Sequence, residues 1–142
     1  MSDKKLFDRT GKVVLVTGSS RGLGQYMGRA LSRAGADLVI TSRKLADLES
    51  FRAEVEALGR KAFPVELDVR NYDSIQHATK AAIEHFGKID ILVNNAGLNV
   101  RKPAVDLTWA EWNLVLETNL RGEFFVAQEV ASDCMIPRNS GG

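Results

Sequence analysis

Read as hydrophobic and polar positions, the chain alternates two kinds of segment. Short apolar runs are Val13-Val14-Leu15-Val16, Ala36 to Thr41, Lys61 to Leu67 and Ile89 to Val93, each read as a strand. Between them lie longer stretches whose apolar residues recur at helical spacing. Gln25 to Ala34 is amphipathic, and Gly35 reads as its stop. Leu45 to Leu58 has apolar residues at 45, 48, 51, 55 and 58, and Gly59 ends it. Asn71 can cap a helix running to about His85, with Ile75, Ala78, Ala82 and Phe86 on one face and Gly87 beyond it. Thr108 and Glu111 have capping-box spacing and open a helical region reaching about Met135. Pro137 to Gly142 reads as a polar turn. Pro64 cannot donate to a ladder, which points to an edge position for the third strand.

Strand alternating with helix calls for a parallel sheet covered on both faces and joined by right-handed crossovers. Strands read as apolar throughout, the fourth included, agree with burial on both sides. The class is α/β, and with no repeat, linker or low-complexity stretch, residues 1–142 read as one domain. Hydrophobic residues at 44% and charged residues at 26% fit a soluble globular chain. A formal charge of +1 supplies no basic field for nucleic acid. No apolar run approaches the ~18 residues that would cross a membrane, and Met1 to Lys5 leads into no signal-type region. The single cysteine, Cys134, leaves no internal disulfide and fits a reducing compartment. The expected location is the cytoplasm.

The chemistry concentrates in Thr17-Gly18-Ser19-Ser20-Arg21-Gly22-Leu23-Gly24. This stretch follows the first strand and opens the first helix, the setting in which a glycine-rich turn holds phosphate. Glycines let the backbone turn sharply and approach a pyrophosphate closely. The first N–H groups of the helix have no intrahelical partner and carry the positive end of its dipole, so an anion is stabilised there. The G-x-x-x-G-x-G spacing is not that of a P-loop, since no Gly-Lys-Ser/Thr ends it. A purely structural turn is the alternative for this motif alone.

Taken together, the motifs resemble those of the short-chain dehydrogenase/reductase family. Thr17 to Gly24 matches its T-G-x-x-x-G-x-G, and Asn94-Asn95-Ala96-Gly97 matches its N-N-A-G after the fourth strand. Asp68, followed by Val69, matches its aspartate near the end of the third strand, and Asn119 its helical asparagine. The resemblance implies a Rossmann-like, doubly wound parallel sheet with strands 1–4 in the order 3-2-1-4, and a dinucleotide across their carboxyl ends where the order reverses. The family's serine and Tyr-x-x-x-Lys pair belong to a later strand and helix. Tyr26 and Tyr72 are the only tyrosines here, and neither has a lysine four residues on. The chain therefore reads as the cofactor-binding half of such an enzyme, ending before strand five. The fourth strand is accordingly expected to have an unpaired edge. The intact enzyme would interconvert a secondary alcohol and a ketone by hydride transfer. The rivals are a non-catalytic nucleotide-binding module, a half-domain needing a complementary chain, and a phosphate-sensing regulator.

Under that resemblance, Gly18, Ser19, Ser20, Arg21, Gly22, Leu23 and Gly24 hold the pyrophosphate. An acid about 20 residues on would mark NAD, but the second strand ends Thr41-Ser42-Arg43-Lys44. Ser42, Arg43 and Arg21 then face a 2′-phosphate, and the cofactor reads as NADP rather than NAD; the alternative is that Arg43 and Lys44 open a solvated helix. Asp68 accepts from the adenine amino group, with Val69 in apolar contact. Asn95, Ala96 and Gly97 pass the ribose, while Asn94 is a structural amide. Asn119 is the one catalytic-site residue present, holding a local bend and a water linked to the missing lysine. No metal site is expected, and His77 and His85 read as surface residues. Cys134 reads as a small buried hydrophobe. Trp109 and Trp112 read as core or subunit contacts, and a homo-oligomer through the helix 109–135 is expected. Arg101 and Lys102, at the mouth, face an anionic substrate or are solvated charge. The run through Arg101-Lys102-Pro103 and Leu107-Thr108 to Glu111-Trp112 resembles gluconate-type sugar-acid dehydrogenases.

Overall fold

Four strands lie parallel in the order β3-β2-β1-β4: β1 (Val13–Val16), β2 (Asp37–Ser42), β3 (Ala62–Glu66) and β4 (Ile91–Val93). The computed structural model describes residues 6–142. Helices α1 (Gly22–Arg33), α2 (Glu49–Ala57) and α3 (Tyr72–Phe86) make the three crossovers. After β4 come α4 (Trp109–Leu116), α5 (Glu123–Val130) and α6 (Ile136–Arg138), joined by widened π turns at Glu117–Gly122 and Ala131–Met135. This is the doubly wound α/β arrangement read from the sequence, with β3 and its Pro64 at the edge.

Alternate residues of β1 serve opposite faces. Val13 and Leu15 pack with Ile75, Ala82, Val126 and Val130 on one side of the sheet. Val14 and Val16 pack with Leu38, Ile40, Phe51 and Val55 on the other. Neither face of β1 meets water, which is why its sequence is apolar without alternation.

The helix signals work locally as expected. Asn71 Oδ1 accepts from Ser74 N at 3.1 Å, and the Thr108–Glu111 capping box has both its bonds. Gly35 and Gly87 end their helices with positive φ. Other boundaries differ for physical reasons. Helix α1 starts at Gly22, three residues before Gln25, because the glycine turn itself is its first turn. The 45–58 stripe begins with a tight 3₁₀ turn at Leu45–Leu48, and Leu45 and Leu58 at its ends are exposed.

The stretch Ile89 to Val93, read as an apolar fourth strand, is not apolar throughout: β4 itself begins at Ile91, and Asp90 just before it is buried. Its carboxylate accepts from Val13 N at 2.8 Å and pairs with Lys88 at 3.0 Å and Arg138 at 3.1 Å. Burial alone would raise that carboxyl; the Val13 amide and the two cations outweigh it and hold it below its ordinary value. Pro137 to Gly142 is likewise not simply a turn. The helical course runs on through Pro137 to Arg138, which α6 adds directly to the π turn before it. Gly142 then donates to Asp90 O at 3.1 Å and accepts from Leu92 N at 2.9 Å, so the β4 edge is partly paired rather than bare. Trp109 and Trp112 are 82% and 54% exposed, which excludes the core reading. Cys134 is buried, and His77 and His85 are exposed, His85 stacking on Phe63.

Candidate functional site

The carboxyl ends of β1, β2 and β4 meet around the glycine turn, and hydrogen bonds from both neighbouring strands fix its shape. On the β2 side, Thr41 donates its hydroxyl to Val16 O at 3.0 Å and accepts from Gly18 N at 3.2 Å. Ser19 Oγ accepts from Thr41 N at 2.8 Å, and Ser19 N donates to Thr41 O at 2.9 Å. Ser19 is fully buried, so both its polar groups are used inside the protein rather than at the surface of the turn. On the β4 side, Thr17 Oγ1 accepts from Asn95 N and Ala96 N, each at 2.9 Å. The Asn95 amide donates to Thr17 O at 3.1 Å and Gly18 O at 3.0 Å.

Two glycines are there because nothing larger fits. Gly18 has φ +62°, and a Cβ on it would lie 3.0 Å from Ala96 Cα. A Cβ on Gly24 would run into the Gly18 carbonyl and the Asn95 amide. Helix α1 therefore starts directly beneath the turn. Arg21 at its N-cap is extended and makes no side-chain cap, leaving the helix's first N–H groups to face outward. Ser20 O accepts from Gln25 Nε2 at 3.2 Å, which braces the turn, while Gly22 and Leu23 lie exposed.

Arg21 and Arg43 are exposed, and neither forms an ion pair among the described residues. Ser42 Oγ accepts from Lys44 N at 3.4 Å at the end of β2. Asp68 is held in a fork by Arg70, whose Nε and Nη2 donate to its two oxygens at 3.1 and 3.0 Å. The Arg70 guanidinium, opposed by partial burial but helped by the Arg70 amide and the Arg43 charge, keeps the Asp68 carboxyl below its ordinary value. Asp68 is thus an anionic acceptor lying within the field of Arg43. Val69 beside it is buried.

Asn119 stands in the π turn between α4 and α5. Its Oδ1 accepts from Leu98 N at 2.9 Å and its Nδ2 donates to Leu98 O at 2.8 Å. It thereby clamps the loop leaving β4, and Gly97 passes directly under it. Asn94 donates to Glu123 O at 3.0 Å, tying β4 to α5 as a structural amide does. Farther along that loop, Lys102 is ion-paired with Glu111, whose carboxyl is drawn down to about 2 by that lysine and by Thr108. Lys102 is therefore engaged internally, and Arg101 is the loop's exposed cation without an ion pair among the described residues.

Neither tyrosine stands where these groups converge with a cation beside it. Tyr72 O–H donates to Glu129, and that carboxylate pushes the phenol above its ordinary value. Tyr26 is an exposed α1 residue with Arg29 over its ring at 5.1 Å. The structure also brings in residues that motif reading left out of the site. Thr17 and Thr41 hold the turn from either side, and Arg70 occupies Asp68. Thr41 ends an apolar strand beside a turn that needs acceptors, which is the one signal that could have found it.

What the arrangement offers chemically is a turn of main-chain amides at a helix start, with two guanidinium groups nearby that form no ion pair among the described residues. Among the described residues no helix is long and apolar enough to cross a membrane. A profile of the short chain dehydrogenase family matches residues 12–142. Gluconate 5-dehydrogenase of Gluconobacter oxydans is 39% identical over 141 residues, covering 99% of this chain and 55% of that protein. The 2-dehydro-3-deoxy-D-gluconate 5-dehydrogenase of Escherichia coli is 37% identical over 135 residues, covering 95% of this chain and 53% of that one. A crystal structure of a short-chain type dehydrogenase/reductase from Mycobacterium marinum superposes with a TM-score of 0.94 at 33% identity, covering 99% of this chain and 55% of that one. The chain spans about half the length of the curated relatives it matches.

Proposed function

Because this chain belongs to the short-chain dehydrogenase family, we propose that it is the NADP-binding part of an oxidoreductase interconverting a secondary alcohol and a ketone. The observation that carries the cofactor choice is the pair Arg21 and Arg43, both exposed without an ion pair among the described residues, beside a β2 end with no acid. A 2′-phosphate would give each a charge-assisted contact worth about 1.5–3 kcal/mol. Main-chain amides from Gly22 to Gly24 would take the pyrophosphate, and Asp68 and Val69 the adenine. Asn95, Ala96 and Gly97 would line the ribose. A bound nicotinamide would supply or accept the hydride. Titrating the chain with NADPH and NADH by calorimetry tests this: at least about tenfold preference for NADPH is expected, and equal affinities would overturn the assignment.

The substrate class follows from Arg101. With Lys102 committed to Glu111, Arg101 is the cation left to meet a carboxylate at the carboxyl end of β4, and two relatives are named for gluconate and a deoxygluconate derivative. A sugar acid is the reading this supports. The chain alone should not turn it over. A carbonyl reduced by hydride needs a proton donor within about 2.6–3.2 Å whose pKa lies near neutrality. Tyr72 is moved the wrong way by Glu129, and Asn119 is spent on Leu98. NADPH oxidation over a panel of keto sugar acids should be absent with this chain. It should appear when a separately made C-terminal half of the Gluconobacter relative is added; turnover by the chain alone would refute the division of labour.

A cytoplasmic enzyme assembled from copies of itself completes the proposal. Leu116, Leu120 and Phe124, with Trp112, are exposed apolar residues recurring every four along the course from α4 to α5. That spacing makes one stripe on a helix, suited to the same stripe of a second copy. A stand-alone nucleotide-binding module is the second reading, favoured by the completeness of the glycine turn within this chain.

A further inference from the structure

Gly122 has an ordinary helical backbone, φ −60° and ψ −47°, so it is not a glycine required by a left-handed turn. Glycine inside a helix costs about 1 kcal/mol relative to alanine, and its reason lies in what it touches. A Cβ on Gly122 would sit 2.6 Å from Val69 O and 2.9 Å from Val69 Cβ and Cγ2. The π turn is therefore seated directly on the segment that leaves β3. The same turn carries Asn119 three residues earlier, and Glu123 one residue later is tied to Asn94 at the end of β4. Thr118 Oγ1 donates to Leu114 O at 2.8 Å, satisfying a carbonyl where the helix widens. The π turn is thus held at the β3 exit by Gly122 and at the β4 end through Glu123.

We propose that Gly122 is a positioning residue, which seats the π turn against Val69 and so sets the reach of Asn119 to the loop leaving β4. The contact links the two ends of the proposed dinucleotide site. Asp68 and Val69 lie at one end, and the Leu98 loop lies at the other. The bearing on cofactor rests on the preceding functional reading; the bearing on Leu98 does not.

The test is amide hydrogen exchange by NMR on the 142-residue chain without ligand, following Leu98 N–H against amides of β2. Gly122→Ala should speed Leu98 exchange by about tenfold, the loss of one hydrogen bond's protection. Asn119→Ala should do the same, and the double variant should be no faster than either. Unchanged exchange in Gly122→Ala, or effects that multiply in the double variant, would overturn the proposal. If Gly122→Ala unfolds, seen as faster exchange throughout β2, Val69→Ala removes the seat without adding an atom. Severalfold faster Leu98 exchange is then expected, and wild-type exchange would overturn the idea. NADPH titration is the second arm. Weaker binding in both single variants is expected, and unaltered affinity in Gly122→Ala would count against the link. A wild-type chain that binds no dinucleotide would sink the functional reading, leaving the exchange arm to decide the role of Gly122.

Discussion

The glycine turn and the outer side of the α4–α5 course are built on opposite terms. In the turn, Thr17, Ser19, Thr41 and Asn95 spend side-chain polar groups on main-chain partners, and a single Cβ at Gly24 would collide with the Asn95 amide and the Gly18 carbonyl it binds. Its shape is settled before any ligand arrives, which lowers the ordering cost of binding. The α4–α5 course is fixed from within, through Asn94, Asn119 and Gly122, and leaves Trp109, Trp112, Leu120 and Phe124 outward. The turn is ordered by its own hydrogen bonds, whereas the stripe is left exposed.

Four substitutions or conditions can break or sharpen that contrast. The largest effect is expected from Gly24→Val. A branched side chain forced under the turn should weaken dinucleotide binding by about a hundredfold, with little change in far-ultraviolet circular dichroism; retained affinity would place the phosphate elsewhere. Arg43→Asp should come next. It would remove the proposed charge-assisted contact and set a carboxylate against the proposed 2′-phosphate, so NADPH preference should fall by more than about tenfold and pass to NADH. Leu120→Glu probes the other region. Leu120 is 65% exposed, so thermal stability should hardly change, while self-association measured by sedimentation should weaken by about tenfold. A wild-type chain that stays monomeric at every concentration would contradict the stripe's role.

The smallest effect should come from acid. The Glu111 carboxyl is drawn from 4.5 to about 2. A depressed carboxyl contributes stability that is fully present above its unfolded value and lost as pH falls through the folded one. The stability supplied by the Lys102–Glu111 tether should therefore be intact at pH 5 and decline between about pH 4.5 and 2, while the Glu111 carboxyl itself titrates near 2, read from its signal by NMR. Because this pair lies at the surface, the change in melting temperature should be small and reduced by salt. A Glu111 midpoint near 4.5 would show that the tether does not form in solution.

Crossovers and helix stops were legible because they depend on local patterns, namely apolar runs, helical spacing and glycines after each stripe, whereas the strand order was legible only through the resemblance of the motifs to a known family. Asp90 is not evident as a polar centre because it lies inside an apolar run; of its partners, Lys88 is local, while Val13 and Arg138 come from segments that only the fold brings beside it. Pro137 reads as the start of a polar turn, yet the helical course runs through it to Arg138. The motif residues of the glycine turn were legible as a set. Their division of labour was not, since Ser19 and Asn95 turn inward and only the structure shows it. Lys102 paired with Glu111 is a similar case: nine residues apart in sequence, they meet because the capping box turns Glu111 back toward the loop.

The order of the strands also has a consequence for the time course of folding. β2 and β3 can join β1 through successive local crossovers, but β1 occupies the middle of the sheet and its other neighbour is made late. The bond from Val13 to Asp90 closes a loop of 77 residues, and Asn95 reaches back to Thr17 across 78. Contacts between such distant residues form slowly, because the entropy of closing the loop is lost before the contact is gained. During synthesis, the first strand and its glycine turn emerge early yet stay unlocked on one side until β4 has left the ribosome. The glycine turn is then made well before the strand that locks it, and in refolding experiments nucleotide-binding competence should lag behind the recovery of helix.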